Sequence, residues 1–366
     1  MSSVKGLRSD LGKHRFISKA WQRTGLMADE RATIHDVAEA AGVSPATVSR
    51  VLTGARSVRP ASATAVLEAV ARLGYRPNQL GRALRRQTSQ VIGMIVPSVD
   101  NPFFPSVIQV AERRLRERGY ALLLSTSGDD PHVEAERVEM LVDRQVDGLL
   151  ISPCGRSSSA AAVLDASKRV PLVQIDRAVD GVDCDFVGVD DQEGIRLLVT
   201  HAVSLRRRRI AYVGGDERSW SGWKRHTAFV EMARRRRSSF TSVVRLGEFS
   251  ESWGRTATTE LFGLPDPPDA VLCGNDLIAV GVIEACESLG IRVPEDVVVS
   301  GYDDIGLAGK YRPSLTTVRQ PINEMTEQAI DLLLARARDP DRRASQLLLS
   351  TELIVRQSMP AQSAQS

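Results

Sequence analysis

Arg50 is the first side chain here whose type and position suggest chemistry, because of the segment in which it sits. Residues 33–52 read TIHDVAEAAGVSPATVSRVL. Thr33 is placed to cap a helix, with Asp36 three residues on as a reciprocal partner. Ile34, Val37, Ala38 and Ala41 share one face at helical spacing. Gly42 supplies the left-handed conformation that a tight turn requires. Ser44 caps a second helix, and Pro45 takes its first position, where no backbone N–H is needed. Val48, Val51 and Leu52 fall on the inner side, which leaves Pro45, Ala46, Thr47, Ser49 and Arg50 outward. Two short helices joined this way follow the plan of a helix-turn-helix DNA reader. A guanidinium at that point can bond guanine O6 and N7 together. A helical hairpin that merely belongs to a core needs no exposed arginine at this position.

Other chemistries find little support. The chain has no GxxxxGKS phosphate loop, no GxGxxG after a first strand and no GxSxG nucleophile elbow. Its carboxylates are not paired for acid–base work, so the motifs give no reason to read an enzyme. Cys154, Cys184, Cys273 and Cys286 are scattered, without a C-x-x-C pair. They are expected to be reduced and buried, with neither a metal site nor a cofactor. Polar side chains do gather where apolar strands end: Pro97–Asn101, Asp176, Gly214, Asn275–Asp276 and Asp303. In open parallel sheets, ligands sit beyond those carboxyl ends.

The elements that position these residues follow from the patterning. Apolar strands at 91–98, 120–127, 147–153, 170–176, 209–215, 270–276 and 297–304 alternate with amphipathic helices at 103–118, 132–145, 191–204, 222–236, 275–289 and 321–337. Such repeats imply doubly wound parallel sheets, and the number of units implies two lobes. Upstream, a third head helix runs from Pro60 to Leu73 and closes at Gly74, with Arg59 as a poor cap. Residues 1–90 carry 15 Lys and Arg against 6 Asp and Glu, whereas the whole chain is only +3. A basic head on a mildly acidic body suits a protein whose head alone meets phosphates. No apolar run reaches membrane-spanning length, and the polar N-terminus lacks a secretory stretch, so a cytoplasmic location is expected.

The expected domains therefore begin with an N-terminal extension at 1–30, of which 1–26, before Met27, read as a disordered basic arm or a misassigned leader. A helix-turn-helix domain follows at 31–76, then a hinge or linker at 77–90. The α/β core covers 91–358, with a tail at 359–366. Within the core, the first lobe is assigned 91–190 and 320–340, and the second 191–319 and 341–358.

In their order and spacing, IHDVAEAAGVSPATVSRVL, YRPNQLGRAL, DNPFF, VPLVQIDR, CGNDLIAVG, VSGYDD and LTTVRQP resemble the lactose/galactose-repressor family of bacterial transcription regulators. The resemblance runs from Thr33 to Ser358. It implies a small all-α helix-turn-helix head and a two-lobed, periplasmic-binding-protein-like α/β core. It also implies a homodimer on a near-palindromic double-stranded DNA operator. Positions matching the family's base readers are Pro45, Ala46 and Arg50. Thr47 and Ser49 are assigned to phosphates, and Thr33, Ser44, Asn78 and Arg82 also join the DNA-binding set. Leu84 matches a hinge leucine wedged into the minor groove.

For the interlobe cleft, the resemblance implies effector contacts at Phe103, Phe104, Asp176, Arg225, Asn275 and Asp303. Carboxylate, amide and guanidinium groups beside aromatics suit a ligand whose hydroxyls both donate and accept. A sugar or sugar derivative is the first expectation, with a nucleobase or a protein co-regulator as alternatives. Trp220 and Phe229 are weaker candidates nearby. A solute-binding transport protein shares the lobes but not the basic head. The chain departs from the family pattern at Asp191 (usually asparagine), Arg206 (usually glycine) and Thr326 (frequently glycine). The arginine runs at 206–209 and 234–237 read as solvated faces.

Overall fold

The computed structural model describes residues 32–52, 58–75, 88–236 and 239–361. The chain divides between residues 86 and 87 into two compact units. The expectations for residues 1–30 and for Asn78, Arg82 and Leu84 fall outside the described residues.

The first unit contains helices Ile34–Ala40, Pro45–Leu52 and Pro60–Leu73. Thr33 and Asp36 form a complete capping box: Thr33 N donates to Asp36 Oδ2 at 2.6 Å, and Asp36 N to Thr33 Oγ1 at 3.4 Å. Gly42 takes φ 64°, which lets Val43 N return to Ala38 O and start the second helix at a new angle. Ser44 Oγ then accepts from Thr47 N at 3.2 Å. Val37, Ala38, Val48, Val66 and Ala69 form the shared core. The third helix starts without a side-chain cap at Arg59 and ends at left-handed Gly74, as the sequence suggests.

The second unit is built on two six-stranded sheets. The first contains β1 (Val91–Val96), β2 (Ala121–Thr126), β3 (Gly148–Ile151), β4 (Leu172–Ile175), β5 (Asp185–Val189) and β11 (Gln346–Leu349), in the order β11-β5-β4-β3-β1-β2. The second contains β6 (Arg209–Gly215), β7 (Thr241–Gly247), β8 (Ala270–Cys273), β9 (Val298–Asp303), β10 (Thr316–Arg319) and β12 (Glu352–Ile354), in the order β12-β10-β9-β8-β6-β7. The central strands are buried along their length because helices cover both faces, which is why they read as unbroken apolar runs. All described pairings are parallel except β10 with β12.

Two boundaries differ from the sequence reading. Residues 341–358 do not all join the second lobe: β11 pairs with β5 of the first sheet, and only β12 crosses over. The tail also begins after 359, since Met359 is fully buried and its carbonyl meets His201 Nε2 at 3.0 Å. Arg206 occupies a left-handed position with φ 60°, where glycine would sit without strain, and so closes the helix Asp191–Ser204.

The chain passes between the lobes three times. Asp190 leads from β5 into helix Asp191–Ser204, Gln320 leads from β10 into helix Ile322–Arg338, and residues 350–351 join β11 to β12. Asp190 N donates to Leu349 O at 3.0 Å, tying the first passage to the third.

Candidate functional site

The cleft between the lobes is built from the carboxyl ends of strands in both sheets, where backbone polar groups and short loops converge. After β4, Asp176 adopts φ 65°; at the end of β9, Asp303 adopts φ 107°. A non-glycine residue in that region costs of order 1–3 kcal/mol, and such residues cluster at ligand sites. Both carboxylates are buried and line one pocket with Phe103, Phe104, Arg225 and Asn275, so the six core residues singled out from the sequence lie together. Asn101, Arg177, Ser221, Phe249 and Gln320 complete the lining. Trp220 and Phe229 are not part of it: Phe229 stacks on Tyr212 in the second-lobe core, and Trp220 packs edge-on to Phe186 and Trp223.

Local structure explains each placement. Asn101 Oδ1 accepts from Phe103 N at 3.1 Å and opens helix Phe103–Glu117, which sets Phe103 and Phe104 edge to face at 5.3 Å. Asn275 caps helix Asp276–Ser288 through Oδ1, bonded by Ile278 N at 2.9 Å, while its Nδ2 has no partner. Gln320 Oε1 and Arg177 Nε are also buried without a hydrogen bond, Arg177 Nε lying 3.8 Å from Asp176 Oδ2. Orphaned polar atoms of this kind are costly unless something bonds them, and here three meet at one pocket. Neighbouring Asp276 is committed elsewhere: it accepts from Thr317 Oγ1 at 2.6 Å and Ile305 N at 2.8 Å, clamping the loop after β9.

Arg225 is the most constrained side chain in the pocket. Its Nε donates to Asp191 Oδ1 at 2.7 Å, and its Nη1 to Gly274 O at 2.8 Å and to Asp303 Oδ1 at 3.4 Å. The guanidinium lies 3.7 Å from the Tyr302 ring centroid. Burial opposes its charge, but Asp191 and Asp303 outweigh that and hold it well above its ordinary value. Burial likewise pushes Asp176 up to about 7 and Asp303 up to about 6, against the attraction of Arg177 and Arg225. On the open side, the Arg177 guanidinium sits 5.4 Å from the Phe104 ring and 5.7 Å from Phe249.

The inner pocket holds a cavity of about 10 Å³, room for one water. Asn101, Phe104, Arg177 and Phe249 also line a wider cleft of about 960 Å³. This geometry suits reversible capture of a small polar molecule between two lobes.

In the head, Ala46 and Arg50 are exposed on the second helix, and Pro45, Thr47 and Ser49 are half-buried. Thr47 is partly engaged, its hydroxyl 3.0 Å from Ser44 Oγ. Thr33 and Ser44, both exposed, serve as caps. Ala46 and Arg50 are thus the exposed members of the outward set.

Comparison with known proteins agrees with both units. Residues 33–78 match the profile of bacterial regulatory proteins, lacI family, and residues 199–359 match that of a periplasmic binding protein-like domain. The chain is 33% identical over 329 residues to the ribose operon repressor of Escherichia coli strain K12, covering 89% of this chain and 99% of that protein. It is 31% identical over 329 residues to the HTH-type transcriptional repressor PurR of Mannheimia succiniciproducens, covering 90% and 98%. A crystal structure of the lac repressor dimer, bound to operator and an anti-inducer, superposes with a TM-score of 0.84 at 28% identity, covering 91% of this chain and all of that one. The protein therefore belongs to the lacI family of bacterial regulatory proteins.

Proposed function

We propose that this lacI-family DNA-binding repressor acts as a homodimer on a near-palindromic operator and that a neutral sugar in the interlobe pocket controls its affinity. The observation that carries the effector reading is the convergence of eight polar side chains and three phenylalanines on one pocket, with Asn275 Nδ2, Arg177 Nε and Gln320 Oε1 making no hydrogen bond. Acceptors are the telling part. Asp176, Asp303 and Gln320 Oε1 call for several donors at once, and every hydroxyl of a sugar can donate as well as accept. A purine offers few N–H groups. That counts against a nucleobase effector, although several relatives bear the name PurR. The ribose operon repressor among the relatives makes a pentose the first compound to try.

On the DNA side, Arg50 reads guanine, Pro45 and Ala46 pack on apolar base edges, and Thr47 and Ser49 reach phosphates. Asn78, Arg82 and Leu84 supply the hinge, with Leu84 as the minor-groove wedge. Regulation is a population shift: the sugar moves the lobes only by its differential affinity for their arrangements.

The test is thermal unfolding of the full-length protein against pentoses, hexoses, sugar phosphates and nucleobases. A ligand at about a thousand times its Kd adds about 4 kcal/mol. Stabilisation by a sugar that is lost in Asp303→Ala supports the reading. Stabilisation by a nucleobase alone overturns the sugar assignment, and no stabilisation by any of them moves control to another partner.

A further inference from the structure

The inner pocket holds an uneven set of buried charges. The carboxylates of Asp176, Asp191 and Asp303 stand against the guanidiniums of Arg177 and Arg225, and all five residues are less than a tenth exposed. Asp191 differs from the other two acids because it is not part of the pocket lining. It is the first residue of helix Asp191–Ser204, at a passage between the lobes, and it lies behind Arg225, whose Nε it binds at 2.7 Å.

An asparagine of the same shape would also accept that hydrogen bond. What aspartate adds is a full negative charge where water screens little. That charge draws Arg225 to its own side, so the guanidinium reaches Asp303 only at 3.4 Å while Gln320 Nε2 reaches the same oxygen at 2.8 Å. We propose that Asp191 is a positioning and specificity-determining residue. Its charge holds Arg225 back from Asp303 and sets three buried carboxylates against two guanidiniums, so that the site accepts a neutral polyhydroxylated effector and rejects the phosphorylated or carboxylate form of the same sugar.

The wider cleft points the same way. Asp100, Asp129, Asp216, Glu248 and Glu251 line it against Arg177, Arg218 and Arg255. Arg218 is engaged by Asp216, and Arg255 by Glu284 at 2.6 Å. An approaching anion therefore meets net repulsion before it reaches the pocket, and low-dielectric walls focus that field. The raised values of Asp176 and Asp303 have the same origin in part, since burial acts together with repulsion from neighbouring carboxylates, Asp191 among them.

This inference rests on the sugar-effector reading, and the experiment separates the two. Binding of matched pairs is measured by calorimetry with full-length protein: D-ribose with D-ribose 5-phosphate, and D-glucose with D-glucuronate. In the wild type the neutral member of a bound pair should bind at least a hundredfold more tightly. In Asp191→Asn that ratio should fall at least tenfold, with operator affinity unchanged. Asp191→Glu should recover part of it, and Asp191→Ser serves as a second charge-removing variant should Asn fold poorly. Size-based rejection is common to all the proteins, so a ratio within twofold of wild type in both Asn and Ser variants overturns the role of Asp191 and leaves the effector reading standing. Tighter wild-type binding of the anionic member overturns it as well. Failure of the wild type to bind any neutral sugar overturns the effector reading and this inference together.

Discussion

Gln320 Nε2 donates to Asp303 Oδ1 at 2.8 Å at the point where the chain leaves the second lobe for the first. One end of this amide is thus fixed on a pocket carboxylate, and the other, Oε1, is buried and unpartnered. Loss of the amide removes a hydrogen bond to a charged group, worth about 1.5–3 kcal/mol. Gln320→Ala should therefore weaken sugar binding on the order of ten- to a hundredfold, with little change in operator affinity when no sugar is present. Calorimetric titration and an operator-binding assay check the two halves. Unchanged sugar affinity would remove Gln320 from the site.

A pH dependence follows from the two pocket acids. Burial raises Asp176 to about 7 and Asp303 to about 6, far above the ordinary carboxylate value near 4. The folded chain therefore holds protons that the unfolded chain releases. The resulting stabilisation is complete below about pH 4 and is lost as pH rises through 6 and 7. Asp176→Asn and Asp303→Asn should each flatten that loss in thermal unfolding between pH 5 and 8. A sugar whose hydroxyls donate to these carboxylates favours their charged form, so binding should tighten as pH rises across the same window. It should also release protons near pH 6.5. Titration in two buffers of different ionisation heat reads this directly, and proton uptake on binding would contradict the assignment.

Much of this arrangement is legible in the sequence because each feature has a local cause. The capping box needs only Thr33 and Asp36 at the right spacing, and the buried strands announce themselves as apolar runs closed by Asp176, Asn275 or Asp303. What escapes sequence reading is set by tertiary contact. Helix Glu251–Phe262 contains Gly254 and a run of threonines that favour no helix. It exists because Gly254 lies against Ile278 O, which would stand 2.2 Å from a Cβ there, and so lets two helices meet. Strand β7 is a half-exposed edge without an apolar run, so Phe249, which follows it into the pocket, goes unnoticed. Asp191 stands out in the sequence only as a departure from the family pattern; its bond to Arg225 spans 34 positions.

Arg50 is expected to carry most of the direct base discrimination, since Ala46 and Pro45 can only pack. Arg50→Ala should lose about 1–3 kcal/mol of discrimination per half-site. Weak binding that depends on salt should persist through phosphate contacts. Competition between operator and random duplex at two salt concentrations measures both quantities. An operator-to-random ratio equal to wild type would mean that another residue reads the bases.

The two lobes also meet through contacts away from the pocket. Arg156 follows β3 in the first lobe, yet its backbone N donates to Arg218 O of the second at 2.7 Å. Its guanidinium lies 3.7 Å from the Trp223 ring centroid and is held from behind by Asp180 at 2.9 Å. Phe186 meets Trp220 edge-on across the same boundary, with ring centroids 5.9 Å apart. A half-buried cation–π contact is worth about 0.5–2 kcal/mol, comparable to the bias that a ligand supplies in shifting an allosteric equilibrium. Arg156→Ala should therefore move the unliganded lobes toward an open arrangement and weaken sugar binding by about three- to thirtyfold, following from that energy, because closure must be driven by the ligand alone. Small-angle scattering should record a larger radius of gyration for the unliganded variant and the wild-type value at saturating sugar. If the dimensions and the affinity both match wild type, the stack rides on closure that other contacts enforce. In that case the passages at Asp190 and Gln320 set the lobe angle.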